Sequence, residues 1–223
     1  MALFILVLLA MAVPAHAQDA ADIADPTVQP VGPPRQLILS DAAIDRRACK
    51  RPVIVDDVPY TWDPLEKGVD AAWAAYTAGD FAVSIPVFKK LADVGHPVAQ
   101  RLMGIVYYFG QGVPVDYRMS LSYFEKAANQ GCFAAYAPTA QLYERGEGAL
   151  LDPGKAYVWY NIAVAHLPES KERIDMIKLR EAVAAFLTPA QLEAAQKRSL
   201  AFAPKLTVPP DIGDLPEDFF KQP

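Results

Sequence analysis

Three kinds of hydrophobic pattern divide the chain. Leu3 to Val13 is an unbroken apolar run, closed by Pro14 and followed by Ala15-His16-Ala17. Residues 18–61 lack helical periodicity and carry Pro26, Pro30, Pro33, Pro34, Pro52 and Pro59. From Asp63 onward the chain breaks into helical segments bounded by caps and stops.

Asp63-Pro64-Leu65-Glu66 reads as an N-cap, a proline at the first helical position and an acid in the first turn. That helix runs to about Ala78, where Gly79 stops it. Asp80 caps a second helix ending at Gly95, and His96-Pro97 opens a third closed by Gly110 and Gly112. Asp116 caps a fourth, ending at Gly131. A fifth runs from about Phe133 to Arg145, and Asp152-Pro153 opens a sixth, to about His166. In 169–187, Met176, Leu179, Val183, Phe186 and Leu187 keep the spacing of one buried face. Thr188-Pro189-Ala190-Gln191 is a capping box ahead of Leu192, Ala195 and Leu200. Pro86 and Pro138 fall inside the second and fifth helices and predict bends there.

The segments repeat. Ala99 aligns with Ala135, Tyr107 with Tyr143, Gly110 with Gly146, Gly112 with Gly148, Asp116 with Asp152 and Ala127 with Ala163, every pair 36 positions apart. A period in this range marks stacked supersecondary units. Small residues at Gly104 and Ala140 let helices approach, tyrosines at 107 and 143 fill the space between them, and Asp caps the returning helix. Tyr107, Tyr123, Tyr143 and Trp159 are accordingly expected in the core.

The run from Ala99 through Gly104, Tyr107, Gly110, Gly112 and Val113 to Asp116, with Tyr123 to Gly131 behind it, resembles the Sel1-like repeat. Ala135 to about Leu167 is a looser match that keeps Tyr143, Gly146, Gly148, Asp152, Lys155-Ala156 and Trp159. Val69 to Gly95 is similar to the short-loop unit that begins such arrays. The resemblance implies an all-α fold, a TPR-like α-solenoid of stacked antiparallel helix pairs. Its repeat domain would span residues 63–203, with capping helices at the end. It also implies a protein–protein interaction module, an adaptor or regulator in the cell envelope; the absence of catalytic and cofactor-binding motifs adds the expectation of no cofactor and no enzymatic activity. In a helix-pair solenoid the first helix of each unit lines the concave side. The expected partner-binding residues there are Arg101, Ile105, Tyr108 and Phe109 from the third helix and Gln141, Glu144 and Arg145 from the fifth. Tyrosine and arginine are residue types common in interface hot spots.

The ends add localisation. An apolar run of this length before a small-x-small site reads as a signal peptide, residues 1–17, cleaved after Ala17. A periplasmic or secreted product follows as the expectation, and no later segment is apolar enough to span a bilayer. Residues 18–62 read as a proline-rich extended arm and 204–223 as a proline-rich acidic tail. Arg46-Arg47 and Lys50-Arg51 flank Cys49, either as a solvated charge run or as part of an arm pinned to the body. Only two cysteines occur, and an exported protein meets an oxidising compartment. A Cys49–Cys132 disulfide is therefore expected, with Cys132 at a surface-facing helix start.

Composition narrows the function. The 223 residues carry a formal charge of −5, without the basic stripe that a nucleic-acid surface needs. His96 and His166 have no second ligand at metal spacing, and His96 is placed to cap a helix. No phosphate-cradling loop, Gly-x-Ser-x-Gly elbow or Ser-x-x-Lys motif occurs. Two alternatives stand beside the interaction module. One is a cell-wall-binding protein or hydrolase; some secreted Sel1-like proteins linked to penicillin binding carry a cysteine pair in each repeat, which this chain lacks. The other is a structural subunit whose concave face is filled by its own arm.

Overall fold

A computed structural model describes Leu37, Cys49, residues 53–55, 58–60, 63–210, 214–216 and Phe219. The expected signal peptide and most of the arm lie outside them. A short antiparallel hairpin, β1 (Val53–Val55) and β2 (Val58–Tyr60), sets Val55 opposite Val58. Eight helices follow: α1 (Asp63–Thr77), α2 (Phe81–Asp93), α3 (Pro97–Phe109), α4 (Tyr117–Asn129), α5 (Tyr136–Arg145), α6 (Pro153–His166), α7 (Lys171–Ala184) and α8 (Pro189–Leu200). Each of α1 to α6 packs on the next in the chain, and α7 and α8 both pack on α6. This is the stacked helix-pair solenoid expected from the repeat.

The caps sit where the sequence puts them. The carboxylates of Asp80, Asp116 and Asp152 accept from the backbone N–H groups of Val83, Met119 and Lys155. Each satisfies one of the donors left open in the first turn of a helix. Thr188 and Gln191 form the capping box of α8. His96 caps α3, its Nδ1 accepting from Ala99 N–H at 3.4 Å.

The 36-residue period has a steric cause beyond the turn itself. Gly112 has φ +72° and lies so close to α2 that an added Cβ would stand 2.5 Å from Phe81 Cβ and 2.7 Å from Ile85 Cδ1. Gly148 has φ +83° and lies against the backbone of Tyr117 and Arg118 at the start of α4. Each loop glycine is thus the seat of the preceding unit's second helix, and Phe81 and Tyr117 are themselves one period apart. Gly104 plays the same part between α3 and α4. A Cβ there would meet the Phe124 ring at 2.8 Å, and the Gly104 carbonyl accepts from Ser120 Oγ at 2.8 Å.

Three local expectations are corrected. Pro138 is not inside a helix body: a 3-10 turn over Phe133–Ala135 delays α5 to Tyr136, so Pro138 lies in its first turn, where its missing N–H costs nothing. Pro86, by contrast, lies inside α2 as expected. Phe186 is 56% exposed because α7 ends at Ala184, and Leu200 is also exposed at the last turn of α8. Cys132 is fully buried, not surface-facing, and is joined to Cys49.

The segment after α8 is docked over its first part. Phe202 sets its ring edge-on to Trp159 and Tyr136, at centroid distances of 5.5 and 5.9 Å. Lys205 N–H donates to Asn129 O at 2.7 Å, and Thr207 N–H donates to Gln130 Oε1 at 3.1 Å. Gln130 Nε2 donates in turn to Gly95 O and to Gln100 Oε1, at 2.8 and 2.7 Å. A buried amide relay therefore ties the strap to the ends of α2 and α4 and to α3.

Candidate interaction surfaces

The seven residues expected on the concave face separate into two groups. Arg101 is 1% exposed, Gln141 0% and Glu144 3%, and Ile105 is also buried. Tyr108 and Arg145 are partly buried, and Phe109 is 47% exposed. α3 lies between α2 and α4, and every residue from Pro97 to Val106 is buried. α5 is likewise buried from Tyr136 to Glu144. An open inner face along these turns, as the helical register had suggested, is absent. The arm contributes to the enclosure: Leu37 and Cys49 are each 5% exposed and belong to the same apolar core.

Polar groups in α5 are buried with partners. Tyr160 Oη–H donates to Glu144 Oε2 at 2.5 Å, and Thr139 Oγ–H donates to Ala135 O at 2.7 Å. Tyr143 Oη–H donates to Glu125 Oε1 at 2.5 Å and accepts from Lys155 Nζ at 3.3 Å. Burial, with the hydrogen bond to Glu125 second, pushes the Tyr143 phenol well above its ordinary pKa. These groups act as internal struts, and their hydrogen bonds offset the cost of burying them.

The exposed remainder gathers at the loop edge of the stack. The Tyr108 ring lies 5.0 Å from that of Phe109 and 5.2 Å from that of Tyr117. Arg145 Nη1 donates to Tyr108 Oη at 2.9 Å and stands 3.8 Å from Glu147 Oε2. Burial and the Glu147 charge raise the Tyr108 pKa, so this hydroxyl remains a neutral acceptor for Arg145. Val115 and Leu150 on the adjoining loops, with Tyr117 and Met119 at the start of α4, are exposed as well. Among the described residues, Phe109 and these four make up half of the exposed large apolar side chains. Sequence reasoning named Tyr108, Phe109 and Arg145 but missed the others. The available signal was large apolar residues within the glycine loops, where turn residues are usually polar.

No group of three or more His, Cys, Asp or Glu among the described residues is arranged to hold a metal ion. His96 is buried in its capping role, with Nε2 3.7 Å from Glu66 Oε1. The His166 Nδ1 lies 2.8 Å from Ile162 O, and its ring packs edge-on to Tyr136. No described helix is long and apolar enough to cross a membrane.

Comparison with known proteins places this geometry. Residues 97–132 and 134–166 match the Sel1 repeat, the segments that hold α3–α4 and α5–α6. An uncharacterized protein of Neisseria meningitidis serogroup B is 38% identical over 66 residues, 30% of this chain and 14% of that protein. Chitin synthase regulatory factor 4 of Schizosaccharomyces pombe is 40% identical over 81 residues, 35% of this chain and 13% of that protein. The chain thus spans about one seventh of the length of these curated relatives. Among solved structures, a protective antigen present in uropathogenic Escherichia coli strains and displaying an SLR fold aligns with TM-score 0.56 and 23% identity. The alignment covers 64% of this chain and 30% of that one.

Proposed function

We propose that this Sel1-repeat protein is an exported protein–protein interaction module, an adaptor or regulator in the periplasm. Repeat solenoids offer extended surfaces for partners, and the Sel1 matches support that class of function here. The observation that carries the reading is the aromatic edge of Tyr108, Phe109 and Tyr117 with Arg145 at its margin. Clustered Tyr, Phe and Met beside an Arg have the composition of interface cores. The partner meets this edge, while the inner face is taken up by the fold, with Leu37 and Cys49 in its core.

Two experiments test this. Protein isolated after export is expected to begin at Gln18; a retained Met1 on membrane-associated protein would remove the localisation. Phe109→Ser with Tyr117→Ser is expected to abolish capture of a partner from envelope extract without changing the helical circular-dichroism signal. Undiminished capture by the folded variant would show that this edge is not the interface.

A further inference from the structure

A second surface lies between the start of α6 and α8. α8 crosses α6 and leaves two hollows that share Arg198. The larger, of about 590 Å³, is mainly apolar and is walled by Leu151, Phe186, Leu187 and Ala194. The smaller, of about 270 Å³, is floored by Trp159 and bordered by Glu125, Lys155 and Phe202. Both open to solvent, so together they form a groove along α8.

The polar groups of the groove are unequally engaged. Glu125 already accepts from Tyr143 Oη, and Asp152 already accepts from the Lys155 backbone. Lys155 Nζ reaches only the neutral Tyr143 hydroxyl at 3.3 Å and lies over the Tyr143 ring at 4.6 Å. Arg198 is exposed and has no hydrogen-bond or ion-pair partner among the described residues. Each acid gives one oxygen to a donor of the fold and Lys155 is held by Tyr143, which leaves Arg198 as the groove's exposed cation without a hydrogen bond or ion pair among the described residues. A guanidinium in this state favours a carboxylate, which it can take through two parallel hydrogen bonds.

The groove also continues a chain-binding mode that is already occupied. At its far end Phe202 is anchored between Trp159 and Tyr136, and Lys205 and Thr207 pair through their backbone N–H groups. An aromatic anchor followed by backbone pairing is how this surface holds an extended segment of its own chain. Along α8, Gln191 at the apolar hollow and Arg198 are roughly 10 Å apart at about 1.5 Å per residue. An extended chain covers that distance in about three residues.

We propose that the α8 groove docks an extended segment of a partner protein that carries an acidic side chain about three residues from an aromatic or large aliphatic one. The acid pairs with Arg198 beside Lys155, and the apolar side chain sits against Phe186 and Leu187. This rests on the reading of the chain as an interaction module but uses a surface separate from the aromatic edge.

The probe is an array of acetylated, amidated eight-residue peptides with Asp or Glu three positions from Phe, Tyr or Leu, read by fluorescence anisotropy on the full chain. Control peptides replace the acid by Lys or the apolar residue by Ala. Saturable binding of acid-plus-apolar peptides is expected, weakened at least tenfold by Arg198→Glu and by Phe186→Ser. Both side chains are exposed, so both variants should keep the parent melting temperature. Arg198→Glu is also expected to gain affinity for the Lys-bearing control. No saturable binding across the array, equal binding of acid and Lys peptides, or unchanged binding to Arg198→Glu each overturns the proposal. Preferential binding to anionic vesicles over every peptide overturns it in favour of a membrane surface. The Phe109→Ser, Tyr117→Ser variant should bind the peptides normally. A failed groove and a failed edge are therefore told apart.

Discussion

His96 and Cys132 occupy the same position in successive repeats, one period apart, yet hold their helices by different chemistry. His96 is buried, caps α3 through Nδ1, and turns its other nitrogen toward Glu66 of α1. Cys132 is equally buried but makes no capping bond; its sulfur is joined to Cys49 of the arm. The downstream helices differ accordingly. Capped α3 starts at once with Pro97, whereas α5 is reached through a 3-10 turn and starts at Tyr136. In both units a buried side chain at this position reaches back to upstream chain. The repeat conserves a place for a tether, not the kind of tether.

Breaking the covalent tether has the largest expected effect. The disulfide joins residues 83 apart, so the loop-entropy model gives it about 4–5 kcal/mol. Cys49→Ser with Cys132→Ser should lower the unfolding free energy from urea titration by that order, and reduction of the parent protein should do the same. Two titratable thiols in the unfolded, unreduced parent would show that the bond does not form.

The loop glycines come next and contrast the same two units. Gly148 faces backbone of Tyr117, which cannot rotate away, whereas Gly112 faces the side chains of Phe81 and Ile85. Gly148→Ala is expected to cost about 3 kcal/mol, above the roughly 1–2 kcal/mol of a left-handed alanine alone, and Gly112→Ala about 2 kcal/mol, at the top of that range. Gly79, at φ +80° with open space around it, is the control that reports the strain by itself. Equal losses at all three sites in urea titrations would remove the packing explanation.

His96→Ala should be milder, about 1–2 kcal/mol, from a lost cap and a lost buried contact. Its mark is local. Amide exchange should rise over the first turn of α3, with little change at the start of α5. Protection lost equally in both helices would mean that the two tethers are not independent.

The elements and their order were legible because caps, glycine stops and the 36-residue period act over short distances. The paired cysteines were legible because the chain has only two. The burial of Arg101, Gln141 and Glu144 was not. A single helix shows which positions are apolar, but polar residues enter a core when distant partners satisfy them, as Tyr160 does for Glu144. The strap was hidden for the same reason. Its backbone donors are taken by Asn129 and Gln130, and nothing in a proline-rich sequence announces that pairing. Phe186 misled in the opposite direction, because its periodic spacing continued past the point where α7 ends.

Tyr107 and Tyr143 offer the smallest and most selective test. Tyr107 stacks on Tyr123 at 5.8 Å, whereas Tyr143, at the same repeat position, is hydrogen-bonded to Glu125 and Lys155. Tyr143→Phe removes the hydroxyl and keeps the ring, so a loss of about 1 kcal/mol is expected near neutral pH. The distinctive consequence lies at high pH. Burial and the Glu125 hydrogen bond hold the folded-state pKa above that of the unfolded chain, near 10. The folded protein therefore retains this proton after the unfolded chain has begun to lose it. The stability contributed by the phenol is complete below about pH 10 and declines as pH rises toward the folded-state pKa. Tyr76, Tyr108 and Tyr123 also have raised pKa values, but they are present in both proteins and drop out of the difference. Urea midpoints measured from pH 8 upward should show the gap between parent and Tyr143→Phe shrinking above about pH 10. A gap that stays constant or widens there would mean that Tyr143 is not held as a neutral donor to Glu125.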